Sequence, residues 1–251
     1  MQRLGQEGLS VATAADGTGL VLSCEHGGNA VPAEYAGLFE GHEALLASHR
    51  GWDPGTLELA QQMASELGAP LHASTTTRLL VDLNRSSGHR ELFSALAGRL
   101  SRGERDTILA AHYQPHRDAL ERDIASRIAA GQRIVHVALH SFVPVLGGRV
   151  RHADVACLYD PKRAGEAALT QRWLAALAAR EGSLLLRRNY PYRGSSDGLT
   201  KHLRERFDAR DYVGIELEVN QRFVDQGGPA WAQLRADLIA SLAEAMGLEL
   251  A

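Results

Sequence analysis

Leu20-Val21-Leu22-Ser23-Cys24-Glu25-His26-Gly27-Gly28-Asn29 is the stretch on which the fold turns. Its first half is a short apolar run rich in branched side chains, the pattern of a buried strand. Its second half sets an acid, an imidazole and two glycines directly after that run. In open α/β sheets, ligands gather beyond the carboxyl ends of the strands, so polar groups that follow an apolar run are candidates for chemistry. Glycines beside His26 would let a ligand approach closely. A turn with an ordinary surface histidine fits the same residues.

Working outward, similar runs recur at Pro70–Ala73, Leu79–Leu83, Ile134–Leu139, Val155–Tyr159, Leu184–Leu186 and Tyr212–Val219. Segments of helical period lie between them. Asp53-Pro54 ahead of Leu57, Leu59, Ala60 and Met63 reads as an N-cap with proline in the first turn, and Gly68 ends that helix. Glu104–Ala130 reads as helix broken at Pro115, Ala164–Arg180 as an alanine-rich helix, and Trp231–Met246 as the closing one. This alternation predicts an α/β fold in layers, with a strand order that periodicity does not reveal. Repeats, low-complexity segments and Pro/Gly/Ser-rich linkers are absent, which predicts one domain over residues 1–251.

Composition narrows the function. The 251 residues are 45% hydrophobic and 23% charged, which suits a packed globular enzyme rather than a disordered chain. A net charge of -3, with both signs interspersed, leaves no footprint for nucleic acid or a membrane surface. The arginine-rich stretch from Arg99 to Arg133 also carries Glu104, Asp106, Asp118, Glu121 and Asp123, and reads as solvated helix faces. Cys24 and Cys157 each lie in an apolar run, so two buried thiols are expected, not a disulfide framework. Met1 to Gly19 has neither a basic start nor a long apolar stretch, and no run reaches a membrane span; the expected location is the cytoplasm.

Three further clusters resemble the first in placing polar groups around strands. Ile134–Leu139 runs into His140-Ser141, with His136 four residues earlier on the same face. His140, at the strand mouth, is the ligand candidate, whereas His136 reads as a hydrogen-bonded structural histidine. In Tyr212–Asn220, period-two alternation gathers Glu216, Glu218 and Asn220 on one side. A plain edge strand would alternate in the same way. Thr77–Arg85 brackets an apolar run with Arg78, Asp82, Asn84 and Arg85. Arginine grips carboxylates through paired hydrogen bonds, although a structural Arg–Asp pair is the other reading.

Two strand-end histidines, nearby acids and strand-end arginines fit a mononuclear metal centre beside a carboxylate-binding wall. Zinc is the natural metal, because about three N/O ligands and an open position make a catalytic site and cysteine is not available. A carboxylate outside the ligand set would act as general base. H-E-x-x-H, the P-loop and G-x-G-x-x-G are all missing.

The ordered motifs Ser23–Asn29 with Val31-Pro32, Asp53, Arg78 through Arg85, His140-Ser141-Phe142, Asn189-Tyr190-Pro191-Tyr192 and Glu216–Asn220 resemble the N-formylglutamate amidohydrolase family. The resemblance runs over nearly the whole chain. It implies a three-layer α/β/α sandwich of phosphorylase/hydrolase type, distantly akin to zinc carboxypeptidases, that splits N-formyl-L-glutamate into formate and glutamate. It further implies His26 and His140 as metal ligands and Glu218 as the catalytic carboxylate. Asp53 is taken as the acidic ligand, with Glu25 as the alternative, and Arg78, Asn84, Arg85, Asn189 and Tyr192 as contacts to a small acidic N-acyl substrate. Two positions depart from the family pattern: Glu25 replaces the usual proline, and Glu216 stands where a glutamine is usual. Another N-acyl amino acid or short peptide is therefore the alternative substrate. The non-enzymatic alternative is a small-ligand binding protein that kept the fold.

Overall fold

Alternation along the strands sorts their side chains onto two faces, and helices cover both. The structure, a computed structural model, describes residues 13–249. Most of Met1 to Gly19, read above as lacking a targeting signal, lies outside them. In chain order the first half comprises β1 (Thr18–Cys24), α1 (Glu43–Ala47), α2 (Thr56–Glu66), β2 (Leu71–Ala73), α3 (Arg102–Ile108) and α4 (Gln114–Ala129). The second comprises β3 (Arg133–Phe142), β4 (Val145–Leu146), β5 (Arg149–Val150), β6 (Val155–Leu158), α5 (Ala164–Arg180), β7 (Leu186–Arg188), α6 (Leu199–Arg206), β8 (Tyr212–Asn220), α7 (Arg222–Gln226) and α8 (Gly228–Met246).

The six-stranded sheet has the order β2-β1-β3-β8-β6-β7. Neighbours run parallel except β6 and β8, which pair antiparallel. Leu20, Leu22 and Cys24 of β1 join Val135, Val137 and Leu139 of β3 and Ile215, Leu217 and Val219 of β8 in one core. Leu59 and Met63 of α2, Trp173 and Leu177 of α5, and Leu238 and Leu242 of α8 close it. Val21, Ile134 and Tyr212 face the other way, against Leu120 and Ile124 of α4 and Leu199 and Leu203 of α6. The result is three layers, α/β/α. After β1 the chain crosses to β2 on one side, then returns to β3 on the other. The mouth between β1 and β3 is therefore a topological switch point, where such sheets bind ligands.

Several sequence expectations change. Leu79–Leu83 is no strand; it is a string of turns whose Leu79, Leu80, Val81 and Leu83 are buried against Phe39, Leu92, Leu96, Ile108 and Tyr113. Short buried apolar runs look alike by periodicity whether they belong to a sheet or to a satellite core. Pro115 does not break its helix. A π-helical turn, Leu109–Tyr113, joins α3 to α4 and widens the helix just where the proline lacks an N–H. Asp53 is not an N-cap: α2 starts at Thr56 behind Gly55, whose φ of 80° and tight approach to Val224 and Trp231 demand glycine. The Asp53 carboxylate is thereby free for other partners. Arg117 is not on a solvated face, being buried and donating to the backbone oxygens of Leu83 and Arg85. Both cysteines are free and buried, and no helix among the described residues is long and apolar enough to cross a membrane.

Candidate active site

Backbone hydrogen bonds bring the first two site residues together. Gly27 N donates to Ser74 O at 3.0 Å, and Asp53 N donates to His26 O at 2.9 Å. A Cβ on Gly28 would stand 2.8 Å from Thr75 O, so the turn after β1 lies flush on the next segment because it has no side chains there. His140 comes from β3, where it pairs in register with Glu218 of β8. The outcome is a cluster in which one ligand atom each of His26, Asp53 and His140 lies within 4.8 Å of the others. Asp53 Oδ2 stands 3.3 Å from His26 Nδ1 and 3.1 Å from His140 Nδ1. Donors bound tetrahedrally about 2.0–2.1 Å from zinc stand roughly 3.3 Å apart, so two imidazoles and a carboxylate at this spacing fit such an ion.

Behind each imidazole stands a second carboxylate. His26 Nε2 donates to Asp82 Oδ1 at 2.8 Å, and Asp82 Oδ2 accepts from Arg78 Nε at 3.1 Å and from its terminal nitrogen at 2.6 Å. His140 Nε2 lies 3.2 Å from Glu25 Oε2, and His116 Nε2 lies 3.6 Å from Glu25 Oε1, without the alignment of hydrogen bonds. Burial raises the pKa of Asp53, but His26, His140 and Arg78 outweigh it and hold the carboxyl well below its usual range. Burial likewise raises Asp82, and Arg78 and His26 overcome it. Glu25 is wholly buried, yet His116 and His140 keep it low. Burial pulls His140 down, while Asp53 and Glu25 win and lift it well above an ordinary histidine. The site stabilises positive charge between its acids, carried by a proton or by a metal ion.

Glu218 is different. It is buried, and its Oε2 finds no hydrogen-bond partner among the described residues. Burial pushes it up to about 8, helped by Asp53 and Glu216 and opposed by His140 and Arg78. Glu216, two residues earlier, is anchored by the Thr200 hydroxyl. Both line a cavity of about 590 Å³ that also exposes His26, Asp53 and His140. A buried acid poised near neutrality beside an N₂O cluster is the arrangement expected of hydrolytic acid–base chemistry.

Residues 18–224 match the N-formylglutamate amidohydrolase family. The chain belongs to that family. Of solved structures, it is similar to the gene product Atu2144 from Agrobacterium tumefaciens, at 29% identity over 91% of this chain and 90% of the other, with a TM-score of 0.78. It is also similar to the N-formylglutamate amidohydrolase of Ralstonia eutropha JMP134, at 19% identity over 95% and 94% of the two chains, with a TM-score of 0.67. No curated protein matches it. The α/β/α architecture is thus the fold of the family.

The motifs that carry the family resemblance converge unequally. His26, Asp53, His140, Glu218, Arg78, Asn84, Arg85 and Tyr192 all face the cavity. Glu25 lies outside the three-atom cluster, on the far side of the His140 ring. Asn189 does not line the cavity: with φ of 50°, it accepts hydrogen bonds from Tyr159 N and Gly194 N through Oδ1 and shapes a loop. The guanidinium of Arg78 is engaged by Asp82 and Asp53. Arg85 is freer, with its Nε 4.0 Å from Asp82. Sequence reading missed His49, Arg50, Arg151 and Arg193 in the cavity wall. They sit in connecting segments, where no periodicity singles out one arginine from the next.

Proposed function

We propose that the protein is a metal-dependent amidohydrolase that removes a formyl or other acyl group from a small acidic N-acyl amino acid, foremost N-formyl-L-glutamate. The observation that carries this reading is the convergence of His26, Asp53 and His140 on one cavity with the unpartnered carboxylate of Glu218. His26 Nδ1, Asp53 Oδ2 and His140 Nδ1 would hold a divalent ion, zinc by its preference for such donors. When bound, that ion polarises the amide carbonyl and makes water nucleophilic at neutral pH.

The protein's own groups do the rest. Glu218 Oε2 takes a proton from the attacking water and delivers it to the departing nitrogen, so that the amide C–N bond breaks as a C–O bond forms. A carboxyl held near 8 by burial keeps a proton readily, and a dication beside it draws the value back toward the working range. Arg85, half-buried on the cavity wall, grips a substrate carboxylate with its fork, and Asn84 and Tyr192 offer weaker polar contacts. A second reading, another N-acyl amino acid or a short peptide, is favoured by one feature: Glu216 adds an acid to the wall that a dianionic substrate must meet.

The test is turnover on a panel of N-formyl and N-acetyl amino acids with added zinc, for the wild type and Glu218→Gln. Release of formate from N-formylglutamate is expected, with a fall of roughly a hundredfold or more in the variant, the scale of general-base catalysis, and unchanged zinc content. Glu218→Gln turning over at the wild-type rate would remove Glu218 from the proton transfer. A wild type inert on the whole panel would leave the binding-protein reading in its place.

A further inference from the structure

Arg78, His26 and two acids form a closed ring. Arg78 donates to Asp82 Oδ2 through Nε and a terminal nitrogen, at 3.1 and 2.6 Å. Its other terminal nitrogen donates to Asp53 Oδ1 at 3.3 Å. Asp82 Oδ1 accepts from His26 Nε2 at 2.8 Å and from Asn84 N at 3.0 Å. His26 Nδ1 completes the circuit 3.3 Å from Asp53 Oδ2. Each carboxylate thus turns one oxygen to Arg78 and the other to the imidazole.

We infer that Arg78 and Asp82 are positioning residues of the metal site and not part of the substrate-binding wall. The inference rests on the metal reading above. A carboxylate on Nε2 keeps the imidazole proton there, which leaves the Nδ1 lone pair facing the Asp53 oxygen and the cluster. Arg78 sets the angle between the two acids, because its planar fork holds Asp82 side-on while its remaining arm reaches Asp53. Both acids are buried, Asp53 at 4% and Asp82 at 5% exposure. A substrate carboxylate that captured Arg78 would have to strip the main cation from two buried anions, an unfavourable exchange. Arg85, at 4.0 Å from Asp82, is not committed in this way. The other imidazole lacks such a frame: Glu25, behind His140, has histidines beside it but no arginine among the described residues.

The two roles for Arg78 separate on different readouts. Zinc affinity of the full-length wild type, Arg78→Lys, Asp82→Asn and the double variant is measured by competition with a chromophoric chelator. KM is measured on the zinc-saturated proteins. Loss of a partner behind a metal-ligating histidine weakens metal binding about 10- to 100-fold, and that loss is expected for each single variant. KM at saturating zinc should stay within about twofold, because no substrate contact is removed. The double variant should be little weaker than the worse single one, as for residues acting through one chain of bonds. In the zinc-loaded protein the slowly exchanging Nε2 proton of His26 should be visible by NMR and vanish in Asp82→Asn. Should Arg78→Lys fail to fold, judged by thermal melting with chelator present, Asp82→Asn decides alone. Wild-type zinc affinity in Arg78→Lys together with a tenfold rise in KM would overturn the inference and return Arg78 to the substrate wall. A wild type that binds no zinc would overturn the metal reading, and this inference with it.

Discussion

His136 and His140 lie on the same face of one strand, a single residue type in two settings. His136, in the lower half of β3, is wholly buried between two hydroxyls, with Ser23 Oγ 2.8 Å from Nε2 and Tyr212 OH 2.8 Å from Nδ1. Burial drives it down to about 3. His140, in the upper half, is almost as buried but meets the carboxylates of Asp53 and Glu25, which lift it well above its ordinary value. Burial alone does not make a histidine functional. Hydroxyls satisfy a neutral ring and make it a structural part, whereas carboxylates call for positive charge and leave a nitrogen aimed at a shared point.

The largest effect should come from the upper half. His140→Ala is expected to lose bound zinc and to depress turnover by at least about a hundredfold, since a three-ligand catalytic site does not survive on two. The fold should remain, because the replaced ring faces the cavity. Metal analysis and an activity assay check this, and a variant that keeps full metal and rate would erase the contrast between the two histidines.

A middle-sized effect should come from the lower half, in stability. The folded pKa of His136 is depressed, so the unfolded chain binds the extra proton first. Its contribution is therefore fully present above about 6.5 and is lost as pH falls toward 3. Between pH 7 and pH 5 this one site should cost ~2 kcal/mol of stability, an order-of-magnitude figure. In His136→Gln the urea-midpoint difference between these pH values should shrink by a corresponding amount, with zinc content and turnover within about twofold of the wild type. Equal pH slopes in the two proteins would mean that His136 is not held neutral.

The smallest effect sharpens the same lesson on β8. Glu216 and Glu218 share a face, but Glu216 is tethered to Thr200 while Glu218 Oε2 has no partner among the described residues. Glu216→Gln should change the N-formylglutamate rate by no more than about tenfold, roughly 1.4 kcal/mol in the barrier, and shift preference across the substrate panel. A collapse of turnover in Glu216→Gln, with Glu218→Gln spared, would exchange their roles.

Much of this was legible in the chain. His26 and His140 follow apolar runs that read as strands, and period-two alternation puts Glu218 on one face of Tyr212–Asn220 with Glu216. The errors were local look-alikes. Leu79–Leu83 has the hydrophobicity of a strand but fills a satellite core. Asp53 before a proline looks like a helix cap, yet Gly55 caps the helix and the carboxylate turns to two histidines. At Arg78 the sequence left a substrate clamp and an Arg–Asp pair side by side, and its bonds to Asp82 and Asp53 are visible only in three dimensions.

The sequence by itself determined the α/β layering, the strand mouths that carry polar groups and the family, because each is written in residues adjacent or periodic along the chain. Only the tertiary structure decided the strand order, the meeting of Asp53 with His26 and His140, and the ring through Arg78 and Asp82. Those depend on atoms from β1, the turn before α2, the Thr77–Arg85 segment and β3 meeting within hydrogen-bonding distance. Such meetings are set by how helices pack the sheet from both sides, and packing of distant segments leaves no periodic trace in any one of them.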